Sequence, residues 1–204
     1  ATRSRRRTSR RRPPNAGRAV PRDAGERPPE SVELLTAVLG TLLRELVHGS
    51  PDPAGRTYLL NRGDPGLLAS LARLSADAAS ATPDGAPSVA AHVDHLRYGL
   101  SLLNAWAAGA LPPAEQMDWT ASWRRTAVSE AEWQGLREAL RREADAWAEA
   151  LRKPRALGEV EAGWLAGSVA HLAYHLGAIR QLGRAARGPT AEDEARAEAA
   201  LRAG

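Results

Sequence analysis

From residue 31 onward, apolar side chains recur every three or four positions, the spacing that draws a stripe along an α-helix. The first such run is SVELLTAVLGTLLRELVH, with Leu35, Leu39, Leu42 and Leu46 as its stripe, Ser31 as the expected N-cap and Gly49 as the stop. Asp64-Pro65 reads as an N-cap and first helical residue opening a shorter helix to about Ala79. A turn-rich stretch, ATPDGAPS, then leads into a long helix over about 88–108, striped by Val89, Val93, Leu96, Leu100 and Leu103. Gly109 and Pro112-Pro113 prevent its continuation. After a linker carrying Trp119 and Trp123, Ser129 and Glu132 form a capping box for a helix to about Arg152, which Pro154 stops. The last long helix is expected over 157–187, closed by Gly188-Pro189, with Leu165, Val169, Leu172, Leu176 and Ile179 facing the core. Thr190 to Asp193 can cap a short exposed helix after it.

Four long amphipathic helices joined by modest connections imply an all-α fold, an up-down four-helix bundle over 31–188 with one extra short helix. Composition agrees: the chain is 43% hydrophobic, mostly Ala and Leu, with no Phe. A C-terminal tail over 189–204 completes the organisation.

Charge alters this picture at one end only. The chain carries +4 overall, yet residues 1–30 alone hold ten Arg against Asp23, Glu26 and Glu30, so the remainder is mildly acidic. The Pro- and Arg-rich segment has little to bury and is expected to be disordered. It lacks interleaved aromatics for base stacking, so nucleic-acid binding is not expected except through this tail. No apolar run is long enough to span a bilayer and none resembles a secretory signal, which points to a cytoplasmic protein. With no cysteine, disulfides, thiolate metal sites and a protein thiol nucleophile are all excluded.

The chemistry gathers on histidine. Of the five in the chain, His171 and His175 lie four residues apart on the last helix, on a flank shared with Trp164, Ser168 and Ala178. Positions four apart differ by about 40° around a helix, so both rings enter one space, as two ligands of one ion must. The helix over 88–108 offers His92 and His95 as sources of a third ligand, beside Gly99, Leu102 and Trp106. Small residues at Gly99, Ser168 and Ala178 leave room for a cavity there. Three neutral imidazoles with an open position suit catalytic zinc and are acceptable to nickel or another divalent ion. A lone histidine is more often a hydrogen-bonded core residue than a ligand, so the weight rests on pairs from two helices. The HExxH protease motif is absent, since Leu172 stands where its Glu would be.

HLAYHLGAIRQL, together with VAAHVDHL and the Trp-rich DWTASWRRTAVSEAEWQGLREAL, resembles the DinB-like family of metal-dependent four-helix bundles. The resemblance covers most of 31–188 and implies one ligand from the second bundle helix, His95, with His171 and His175 as the pair. His92, one turn earlier, is the alternative to His95. The pattern departs at Ala178, where the family often carries Gln. The resemblance further implies transfer of a low-molecular-weight thiol to a small electrophilic substrate, with the metal presenting the thiol as thiolate.

Other residues take plainer expectations. Trp106 and Trp164 are placed on the cavity or in the core; Asp94 points about 100° from His95 and is a poor fourth ligand. Arg180 projects opposite His171 and is expected at the surface or in a subunit contact. Tyr174 can hydrogen-bond near the metal or pack on a neighbouring helix, and His48 answers the helix dipole at the end of the first helix. No general base is identified. A non-catalytic binding or stress-response module is the alternative function, and a homodimer through an exposed apolar face remains open.

Overall fold

A computed structural model describes residues 30–50, 56–125 and 127–203. Among these the protein is all-α, with no strand. Its helices are α1 (Glu30–His48), α2 (Gly66–Ala72), α3 (Ala76–Ser80), α4 (Val89–Ala107), α5 (Glu130–Ala150), α6 (Glu159–Leu182) and α7 (Ala191–Ala203). The Arg-rich tail falls outside the described residues apart from Glu30. None of the described helices is long and apolar enough to cross a membrane.

The two long helices α1 and α4 each pack against both α5 and α6. One core runs between them, from Leu43 and Leu46 of α1 through Val93 and Leu96 of α4 and Leu140 and Trp147 of α5 to Leu172 and Ile179 of α6. Caps fix where the helices start. Ser88 accepts from the Ala91 N–H at 3.2 Å ahead of α4. Ser129 and Glu132 exchange hydrogen bonds in the expected box ahead of α5. Thr190 and Asp193 do the same before α7.

Several boundaries differ from the sequence expectation, each for a local reason. Ser31 already lies inside α1, whose buried face runs Thr36, Leu39, Gly40, Leu43, Leu46 and Val47, so Leu35 is left exposed and Leu42 half-buried. The helix expected over 64–79 is divided into α2 and α3. Ser75 turns extended (ψ 165°) and caps α3, and the Leu74 carbonyl beside the break accepts the buried Trp133 indole N–H at 2.9 Å. The final long helix stops at Leu182 instead of Arg187. Gly183 leaves helical geometry with the Leu74 side chain packed 3.3 Å from where its Cβ would stand, and a short 3-10 turn then buries Ala186.

Two polar devices hold the connection between α1 and α2. The Glu45 carboxylate, 4% exposed, accepts the backbone N–H groups of Tyr58, Leu59 and Leu60 at 2.7–3.0 Å. At the end of α1, Gly49 (φ +77°) lies against Gly66 (φ +79°) so closely that a Cβ on either would run into the other segment's backbone.

Arg180 is the clearest correction. It is not a surface or subunit-contact residue: its guanidinium forks onto Asp64, Nη1 to Oδ2 at 2.8 Å and Nη2 to Oδ1 at 2.7 Å, with Asp64 buried. Asp64 Oδ1 also accepts the Gly66 N–H at 2.9 Å, so one carboxylate joins the start of α2 to the end of α6. Removing the cation strands a buried charge, a loss of about 3–5 kcal/mol for such pairs. Arg180→Met is therefore expected to destabilise the protein by about 3 kcal/mol or more in urea unfolding, while Arg141→Met on the exposed face of α5 leaves the urea midpoint nearly unchanged.

Candidate metal centre

Helix α4 delivers His92 and His95, and α6 delivers His171 and His175, to one space between the two helices. His95, His171 and His175 each offer a ring nitrogen, and these nitrogens all lie within 4.8 Å of one another. His171 Nε2 and His175 Nε2 are 2.9 Å apart, close enough for both to share one ion at bond lengths of about 2 Å. His92, weighed against His95 as the third ligand, takes a different position. Its Nδ1 meets His175 Nδ1 at 2.8 Å, on the side of the ring away from His171.

The tautomer of each ring decides which nitrogen is available. When His175 Nδ1 carries the proton and donates to His92, its Nε2 lone pair faces His171. When His95 Nδ1 donates to Ser122 Oγ at 3.2 Å, its Nε2 is likewise free. A ligating histidine ordinarily donates its other N–H in this way, which fixes ring orientation and tautomer. The donor set therefore fits a divalent ion that accepts imidazole, with His92 and Ser122 as orienting partners.

Burial keeps the rings uncharged. His92 and His171 are pushed below the usual histidine value by burial alone. Burial also lowers His95, with further lowering from His171 and His92. His175 is 3% exposed, and burial followed by the charges its neighbours would carry takes it down to about 3. At neutral pH each ring is uncharged, with one N–H to donate and one lone pair to offer.

The linker between α4 and α5 closes one side. Trp123 stacks on His95, ring centroids 4.4 Å apart, and meets His92 edge-on at 5.2 Å. The linker is held by Asp94, which receives Arg97 Nε at 2.8 Å and Arg125 Nε at 2.9 Å. Burial raises the Asp94 carboxyl, but the hydrogen bonds and charges of the two arginines outweigh it and hold the group below the ordinary carboxylate range. Asp94 is thus committed to the linker and does not join the histidines.

On the other side the rings border a cleft of about 340 Å³ that includes His171, Gly99, Ser168, Trp106, Trp119 and Trp164. Gly99 separates the Trp119 ring from His171, since a Cβ there would lie 3.6 Å from the indole and 3.9 Å from the imidazole. Ala178 does not reach the cleft wall. Tyr174 is 70% exposed and touches the cluster only through an edge contact with His175 at 5.0 Å. His48 pairs with Asp145 of α5 at 2.8 Å, far along the chain from the cluster.

Sequence reasoning missed the parts played by Ser122 and Trp123. No local pattern marks them, because a linker reaches back across 27 residues to supply the Ser122 contact. The orienting place of His92 had a signal, three residues before His95 on the same flank, but spacing cannot tell a ligand from its neighbour.

The lowered values set the direction of a pH dependence. Unfolded histidines take up protons below pH 6.5, while folded His175 resists until about pH 3. This contribution to stability is complete above about pH 6.5 and is lost progressively as the pH falls toward 3. In chelator-treated protein, the melting temperature should fall from pH 7.5 to pH 4.5, and His175→Gln should flatten that slope; a slope unchanged by the substitution would contradict the assignment. In comparisons with family models, curated proteins and solved structures, nothing matches this chain.

Proposed function

We propose that this protein is a metal-dependent enzyme of the DinB-like kind, a four-helix bundle that holds one divalent ion, zinc or nickel, on His95, His171 and His175. The observation that carries the reading is the convergence of these three imidazoles, with His92 and Ser122 on the opposite nitrogens and an open cleft beside them.

The resemblance implies transfer of a low-molecular-weight thiol to a small electrophile, a reaction that needs no cysteine of the protein's own. The ion would supply Lewis acidity, lowering the pKa of a thiol so that its sulfur is present as thiolate at neutral pH. The protein's own residues do the rest. His92 and Ser122 hold the ligand rings in one tautomer. Trp123 covers the cluster on the linker side and keeps water from it, and the cleft beside His171 receives the electrophile.

Elemental analysis of the purified protein tests the site. About one equivalent of zinc or nickel per chain is expected, falling at least tenfold in His171→Ala and in His95→Ala with helical circular dichroism retained. Equal metal content in wild type and both variants would reject the ligand set. Incubation with mycothiol, bacillithiol or glutathione and a panel of electrophiles, read by mass spectrometry, tests the reaction.

A separate expectation concerns His92. Loss of a partner that orients a ligand typically weakens metal binding ten- to a hundredfold. His92→Ala should therefore raise the dissociation constant for zinc by that factor in a chelator competition, while still binding one equivalent at saturation. An unchanged constant would remove His92 from the site.

A further inference from the structure

The cleft beside His171 is defined as much by what it lacks as by what lines it. Leu96, Leu100, Leu103, Trp106, Trp119 and Trp164 form its walls, and no Lys, Arg, Asp or Glu is among its lining residues. Apart from the indole N–H groups, its polar side chains are Ser168 and His171. Ser168 is already engaged: its hydroxyl donates to the Leu165 carbonyl at 2.7 Å and accepts the Trp147 indole N–H at 3.0 Å. His171 is left as the one titratable group facing the space.

Arg155, which stacks on one of these walls, is also engaged. Its guanidinium lies 5.0 Å from the Trp106 ring centroid and donates to the Ala150 carbonyl, and Arg155 is not among the lining residues. An anionic group seated among the tryptophans, away from the ion proposed for the histidines, would lose its hydration and find no counter-charge in the lining.

Two glycines keep the cleft open. Gly163 and Gly167 sit one turn apart inside α6 and line it, and a Cβ on either would meet nothing within 4 Å. Glycine within a helix forfeits about 1 kcal/mol relative to alanine, so no local packing demand accounts for them. At the mouth, Trp119 and Trp164 are 44% and 38% exposed and Leu111 is 37% exposed, an apolar rim around an apolar interior.

We propose that this cleft binds an uncharged, predominantly apolar small molecule, with its hydrocarbon or aromatic body between the Leu and Trp walls and a single polar end toward His171. A volume of about 340 Å³ lies within the range of small-molecule sites, and burying such a body releases water from the indole and leucine surfaces. As the substrate class of the enzyme, this rests on the metal-centre reading above; as a binding site, it stands on the cleft alone. It narrows the part of the electrophile held between the Leu and Trp walls to an uncharged one.

The test uses N-phenyl-1-naphthylamine, a neutral dye that becomes fluorescent in apolar sites, with the full chain. Saturable binding of one dye per chain is expected, weakened at least tenfold in Gly163→Leu and in Gly167→Leu. Both substitutions raise helix propensity, so thermal melting should be unchanged or higher. Competition is read in His175→Gln protein, where coordination of a competitor by the metal is removed. There 1-naphthalenemethanol should displace the dye at a concentration at least tenfold lower than 1-naphthoate does. Dye affinity unaltered in both glycine variants, naphthoate competing as well as the alcohol, or loss of dye binding in correctly folded His175→Gln would each overturn the proposal. A protein that lacks metal but shows the expected dye behaviour would overturn the metal-centre reading alone.

Discussion

Four imidazoles can share one small buried space only while they remain unprotonated. His175 lies at the centre of that constraint, with His92 on one ring nitrogen and His171 on the other, and His95 approaches from α4. A proton on any ring would place a desolvated cation among groups that have no carboxylate to answer it, since Asp94 is turned toward Arg97 and Arg125. Each neutral ring keeps one lone pair, which is what a bound divalent ion would take up. Both the stability of the α4–α6 contact and the proposed chemistry depend on that neutrality.

The surrounding structure can be understood as support for this arrangement. The α4–α5 linker has no regular helix longer than a 3-10 turn, yet it is held at several points. Asp118 accepts from Thr120 and Arg124 within the linker, and Asp94 accepts Arg125 across to α4. This fixes Trp123 over His95 and Ser122 at the His95 Nδ1 position. Away from the site, Asp64 with Arg180 joins α2 to α6, and Glu45 gathers the backbone before α2. The carboxylates of Asp94, Asp64 and Glu45 are thus committed to partners within the fold, which leaves the histidine cluster without a carboxylate of its own.

Much of the fold was legible because helix periodicity and capping are local. The core stripes of α4 and α6 were read almost residue for residue, and the Ser129 cap stands where its spacing put it. The errors share one origin. The division between α2 and α3 depends on a carbonyl needed by Trp133, 59 residues away, and the early end of α6 depends on Leu74 packing at Gly183. Arg180 appeared to face outward because its helix was considered without the segment that covers it.

For the site, the sequence by itself determined the ingredients: two helices, each carrying histidines on a flank beside small residues, and no cysteine. Those follow from the geometry of a helix, in which residues three or four apart necessarily share a face. Tertiary structure decided the positions. Which of His92 and His95 points at His171, which nitrogen remains free, and what walls the neighbouring cleft all depend on the approach of α4 to α6 and on a linker folded across them. These contacts join residues dozens of positions apart, and packing in three dimensions brings them within hydrogen-bond distance where no periodicity along the chain can.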